Sequence, residues 1–162
     1  MNKYLPCPKR GIVIIALIVL MSLFLAACGG IKTDVPDTPE AQATQALVEQ
    51  YITTNVEYDA EGLLALYADD IFWMDYGGDD GPLDKGDLEM LVPGIMAAEE
   101  FTIEFSSYLV TSDGRFAVVE GVYSEISPLT GKWVEAPFVL VLEIRDNLIV
   151  REEWYYNDSP LH

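Results

Sequence analysis

The chain is short of basic side chains, histidine and cysteine. Among its 162 residues, Lys and Arg number 9 against 27 Asp and Glu, a formal charge of −18. Nucleic acid is thereby excluded as a partner, because phosphate binding needs clustered Lys and Arg. His162 is the only histidine and the last residue, so neither a His-based triad nor a His metal site is available. Two cysteines, Cys7 and Cys28, exclude a framework of several disulfides. Acid pairs stand at Asp69-Asp70 and Asp79-Asp80. Neither has the ligand spacing of a calcium loop, and no metal or cofactor is expected. Apolar residues, by contrast, make up 51% of the chain and charged ones 22%, enough to bury the core of one domain.

The first 27 residues read as a targeting segment. Lys3, Lys9 and Arg10 precede the apolar run of residues 11–25, and no acid occurs there. Leu25-Ala26-Ala27-Cys28 closes the run. A basic start, an apolar stretch and small residues at a cut describe a secretory signal peptide. The Leu-Ala-Ala-Cys ending resembles the lipobox of bacterial lipoproteins. That resemblance implies cleavage before Cys28, acylation of Cys28, and an extracytoplasmic domain held at a bacterial membrane by lipid. Several acyl chains anchor stably where one does not. Loss of three bases with the signal takes the formal charge from −18 to −21.

Residues 28–40 read as the lipidated Cys and a tether, rich in Gly, Pro, Asp and Thr. The folded domain is expected over 41–158. Thr38-Pro39-Glu40 caps and opens a first helix, whose buried face carries Leu47, Val48, Tyr51, Ile52 and Asn55. Asp59 caps a short helix over 60–67, which Asp69-Asp70 ends; residues 71–75 form a strand. A third helix is expected over 87–98, bent or broken at Pro93. Then the period changes. Residues 101–110, 115–126, 132–145 and 148–156 are rich in β-branched and aromatic residues with turn residues between them, an antiparallel meander. Phe138 to Leu142 is apolar at every position and reads as buried on both faces. Helices first and strands later give an α+β fold, a cone with N-terminal helices packed on a curved antiparallel sheet.

This order resembles the nuclear transport factor 2-like cone fold, which includes the SnoaL-like polyketide cyclases and the ketosteroid isomerases. Residues 48–77 are similar to the first two helices and first strand of ketosteroid isomerase. The resemblance places Tyr51 on the family's oxyanion-hole tyrosine. Asp75, 24 residues later, falls on its general-base aspartate. It places Val139 where the family has a protonated Asp, and losing one oxyanion donor typically costs about a hundred- to a thousandfold in rate. A standard isomerase is therefore not expected. The resemblance also implies a homodimer formed through the sheet.

Candidate site residues follow. Asp75 ends an apolar strand, where burial makes a better base; the alternative is a strand-end cap. Tyr51 is a phenol donor into the cavity or a core tyrosine bonded to a carbonyl. Alternation in the family's register turns Val139 and Val141 to the cavity, with Val150, Glu152, Trp154 and Tyr156, and puts Val118, Glu120 and Val122 on the same side. Glu120 and Glu152 would then form an acid/base pair or recognise a basic ligand group. A register slip of one residue would send both to solvent. Trp73 adds aromatic surface. The expected function is a pocket for a small, largely apolar molecule, with isomerase- or cyclase-like proton transfer by Asp75 and Tyr51. A non-catalytic interaction module using a sheet face around Phe138, Leu140 and Leu142 is the alternative.

Overall fold

The computed structural model describes residues 30–76, 81–98, 101–126 and 130–156. The signal segment with Cys28, the Asp79-Asp80 pair and His162 lie outside the described residues. The chain divides into two units, Met1–Gly30 and Ile31–His162, and every described element belongs to the second.

Helix α1 spans Pro39–Val56. The Thr38 side chain caps it, accepting from the Ala41 N–H at 3.2 Å, and Pro39 takes the first position, where its missing donor costs nothing. Its buried residues include Ala41, Thr44, Leu47, Val48, Tyr51 and Asn55, one face of a 3.6-residue period. Helix α2, Ala60–Ala65, is capped by Asp59 through the Gly62 N–H. It is shorter than expected because strand β2, Tyr67–Asp75, begins at once; Asp69 and Asp70 lie inside that strand. Helix α3, Lys85–Met96, starts earlier than the sequence suggested, at a reciprocal cap. Asp84 accepts from the Asp87 N–H and Asp87 accepts from the Asp84 N–H. Pro93 sits inside α3 and the helix runs on to Met96.

A six-stranded sheet follows the order β1-β3-β4-β5-β6-β2. Its meander is β3 (Phe101–Val110), β4 (Phe116–Ile126), β5 (Trp133–Arg145) and β6 (Leu148–Tyr156), all antiparallel. Asp146 and Asn147, at φ of 53° and 63°, make the tight turn between β5 and β6, a conformation these residues tolerate best after glycine. β2 joins β6 in parallel. Part of the expected tether is also strand. Lys32–Asp34 forms β1, parallel to β3 at the sheet edge. Three exposed residues, two of them charged, carry no periodic signal, so only the pairing reveals them.

The helices cover the concave face of the sheet. Leu47, Val48, Tyr51 and Ile52 of α1 share one apolar cluster with Phe138, Leu140 and Leu142 of β5 and Ile149 of β6. Gly121 of β4 lets Phe138 lie across it. A Cβ there would stand 2.5 Å from the Phe138 ring and 2.2 Å from the Glu104 carbonyl.

Two irregularities decide which side chains face the concave side. In β6, Ile144 pairs with Ile149 and Glu143 with Arg151, so Val150 is an extra, unpaired residue. A bulge of this kind shifts the strand's parity by one. Ile149 points in before it, and Glu152, Trp154 and Tyr156 point in after it. In β3 a similar shift falls between Phe105 and Ser107.

Candidate functional site

Six neighbouring elements and the first residues of β3 enclose a cavity of about 530 Å³, to which α2 contributes Leu63. Helix α1 contributes Tyr51 and Asn55, and β2 contributes Trp73 and Asp75. Helix α3 lays Leu88, Leu91, Val92 and Ile95 along one wall, and Phe101 and Ile103 of β3 continue it. β4 adds Tyr123 and Glu125; β6 adds Glu152, Trp154 and Tyr156. Most of this lining is aromatic or aliphatic, and its polar groups are carboxyls, phenols, indole N–H groups and one amide.

Glu152 is the central residue of the interior. It is 1% exposed. One oxygen, Oε1, accepts three hydrogen bonds: from the Tyr51 hydroxyl at 3.0 Å, from Trp73 Nε1 at 3.1 Å and from Trp154 Nε1 at 2.6 Å. The other oxygen, Oε2, is buried and has no hydrogen-bond partner among the described residues. Tyr67 lies close enough to favour the charged carboxyl. Burial raises the Glu152 pKa above the ordinary glutamate value, and its four donor neighbours pull only partly against that. The same burial pushes the Tyr51 and Tyr67 phenols well up, and the Glu152 carboxyl beside them adds to it. Asn55 steadies the helix side of this cluster, donating through Nδ2 to the Tyr51 carbonyl at 2.9 Å.

A second group of polar residues stands nearer the rim. The Tyr156 hydroxyl donates to Asp75 Oδ2 at 2.8 Å, and the Tyr123 hydroxyl donates to Glu125. The two rings lie 6.0 Å apart, inclined at 34°. Each phenol is raised by burial first and by the carboxylate it bonds second; the other carboxylate adds to the shift in both cases. Asp75 and Glu125 are thus held close together through a pair of tyrosines. Trp154 packs on Phe138 with ring centres 4.9 Å apart, which ties the site to the core.

Of the residues singled out in the sequence, Tyr51, Trp73, Asp75, Glu152, Trp154 and Tyr156 meet at this cavity. Glu120 and Val139 do not. They pair directly with each other across β4 and β5 and share the outer face. Val139 is 37% exposed, and Glu120 accepts from the Ser107 hydroxyl. Glu120 borders a separate, smaller hollow of about 190 Å³ beside β1. Val118 and Val141 are a direct pair on that same outer side, and Val150 is the bulge residue. The physical reason is a slip of one residue in β5. Phe138–Leu142 is apolar throughout, so nothing in the strand itself marks its inner face. Direct antiparallel partners share a face, so the slip carried Glu120 with Val139. Pairing resolves it: Phe138, Leu140 and Leu142 oppose Tyr156, Trp154 and Glu152 and all face inward. The interaction surface expected around Phe138, Leu140 and Leu142 is accordingly absent, since these are 2%, 0% and 0% exposed.

Tyr67, Tyr123 and Glu125 were missed. Ala117 and Val119 are fully buried, and continuing their alternation along β4 gives Gly121, Tyr123 and Glu125. This alternation has the parity opposite to the one that the family's register gives. Tyr67 looked like the end of a helix.

Known proteins place this geometry in context. The family described as SnoaL-like domain matches residues 48–152, more than half of the chain. No curated protein matches it. Solved structures do. A nuclear transport factor 2-like protein from Burkholderia thailandensis is 20% identical with a TM-score of 0.63, over 74% of this chain and 93% of its own. Another, from Mesorhizobium loti, is 15% identical with a TM-score of 0.62, over 78% and 99%. A protein of ketosteroid isomerase-like fold from Catenulispora acidiphila, in complex with trimethylamine, is 16% identical with a TM-score of 0.60, over 71% and 88%. At such identities the likeness is one of fold.

Proposed function

This chain belongs to the SnoaL-like domain family, and from that premise we propose that its cavity binds one small, largely apolar molecule, on a protein anchored outside a bacterial membrane through lipid on Cys28. One observation carries the binding half: a cavity of about 530 Å³, apolar over most of its wall, with a buried carboxyl on it whose Oε2 has no hydrogen-bond partner among the described residues. Binding sites are concave, mostly apolar and equipped with a few convergent polar groups. A filled core would not leave such a space beside an unsatisfied oxygen. The trimethylamine held by the Catenulispora acidiphila protein supports a small organic ligand here too.

The geometry favours binding over isomerase chemistry. The Tyr51 hydroxyl, which an isomerase of this fold aims at the ligand's oxygen, is bonded to Glu152 instead. Its role in this reading is to hold that carboxyl in place. No acid faces the cavity from β5, whose inward residues are Ala136, Phe138, Leu140, Leu142 and Ile144. The acid stands on β6.

A thermal-shift panel of small aromatic compounds, neutral, cationic and anionic, tests the binding half. A ligand at a hundred times its dissociation constant stabilises by about 2.7 kcal/mol, which is a readable rise in Tm. Val92→Trp, extending into the cavity from α3, should cancel the shift. A panel without any shift, or shifts that survive Val92→Trp, would contradict a ligand cavity. The anchoring half predicts that radiolabelled palmitate is incorporated by cells expressing the chain and that Cys28→Ser abolishes the label. Equal label in both proteins would count against it.

A further inference from the structure

We propose that the molecule this cavity takes is a cation, a protonated or quaternary amine carried on an apolar or aromatic body. This rests on the reading of the cavity as a ligand site and names the ligand's chemical class.

Three carboxyls from three different strands line one cavity: Asp75 on β2, Glu125 on β4 and Glu152 on β6. Among the described residues, no Lys, Arg or His lines it. The basic residues nearby are occupied elsewhere. Lys85 comes within 5.8 Å of the Tyr67 ring, yet its ammonium donates to the Leu64 and Tyr67 carbonyls. Arg115 and Arg151 pair with Glu143, and Arg145 pairs with Asp70. Glu125 accepts from a phenol, and Glu152 from a phenol and two indoles, all of them neutral. Such donors satisfy lone pairs but leave the charge in place. Like charges gathered in a low-dielectric cavity repel, and a cation among them removes that cost.

An independent observation points the same way. Glu152 lines this cavity, and its Oε2 is buried and lacks a hydrogen-bond partner among the described residues. It is an acceptor that a protonated amine can satisfy with an N–H, while a quaternary amine offers its positive charge alone. The walls add a third term. Trp73, Trp154, Tyr123 and Tyr156 offer ring faces, and a cation within about 6 Å of a ring centre is attracted by its quadrupole, the more so when desolvated. Carboxylates combined with aromatic faces suit an alkylated ammonium. An anionic ligand would meet three carboxyls. A neutral one would exclude water from them and give nothing back.

The test compares two compounds of the same shape. Benzyltrimethylammonium and neopentylbenzene differ by nitrogen against carbon at one position, so only the charge changes. The indoles of Trp73 and Trp154 border the cavity, and their fluorescence reads out binding to the full chain. Titration in about 1 M salt, where screening acts beyond about 3 Å, removes general attraction of a cation to an acidic protein. We expect the cation to bind at least about tenfold tighter than its neutral twin. The double variant Asp75→Asn with Glu125→Gln should weaken the cation by about tenfold or more and leave neopentylbenzene unaffected. Equal or tighter binding of neopentylbenzene overturns the cation while leaving the ligand cavity standing. Binding of neither compound overturns both. The comparison on the unaltered protein decides the matter even if the double variant does not fold.

Discussion

Glu152→Ala is expected to destabilise the protein by about 3 kcal/mol, a fall in Tm on the order of 10 °C. The reason lies in what the substitution leaves behind. Tyr51, Trp73 and Trp154 each donate to Glu152 Oε1, and none of the three has room to turn to bulk solvent from its buried or half-buried place. A buried donor without an acceptor costs about 1–3 kcal/mol. Part of the sum is offset, because the variant no longer buries a carboxyl with one unsatisfied oxygen. Water entering the neighbouring cavity offsets more. Glu152→Gln serves as the control. It keeps an oxygen for the three donors and should lose much less. Urea unfolding of the three proteins at neutral pH checks the order. Glu152→Ala as stable as the unaltered protein would mean that this cluster does not hold the site together.

The second large effect is one of pH. In the folded protein Glu152 titrates above the ordinary glutamate value of 4.5, chiefly because it is buried. The folded state therefore binds this proton more tightly than the unfolded chain does. Below 4.5 both states are protonated and the stabilising contribution is complete. As pH rises from there the unfolded chain ionises first, and stability is lost until the folded carboxyl ionises as well. Between the two values the loss runs at about 1.4 kcal/mol per pH unit. Many other carboxylates titrate in an acidic chain, so the useful quantity is a difference. The stability of the unaltered protein minus that of Glu152→Gln should fall with rising pH above 4.5 and then level off. A difference that is flat, or that rises with pH, would refute a carboxyl raised by burial. The same measurement bears on the ligand: a cation beside Glu152 favours its charged form, so bound cation should shift the fall toward lower pH.

Much of the fold could be read locally. The caps at Thr38 and Asp59 are made by side chains that reach only three residues along the chain, and both are where the sequence puts them. The strands over 101–110 and 148–156 keep their expected ends, because turn residues bound a run of β-branched and aromatic side chains. Tyr51 and Asp75 come to the cavity because α1 has a clear apolar face and Asp75 ends β2 beside it. What misled was the middle of the sheet. β5 is uniformly apolar where its inner face had to be chosen, and one slip there put Glu120 and Val139 on the wrong side and hid Tyr123 and Glu125.

The sequence by itself determined the order of the three helices and of the strands from β2 onward, and the caps at Thr38 and Asp59. These depend on periodicity and on contacts a few residues apart. Only the tertiary structure decided the chemistry of the site. The bulge at Val150 turns Glu152 inward, and nothing local requires a bulge there. Tyr51 then bonds a carboxyl 101 residues away instead of pointing its hydroxyl at a ligand. The inner face of β5 was likewise chosen by its neighbours, with Leu142, Leu140 and Phe138 opposite Glu152, Trp154 and Tyr156. In a sheet the side-chain period is two, so a single residue of register, set by pairing with distant strands, separates a carboxylate in a cavity from one in water.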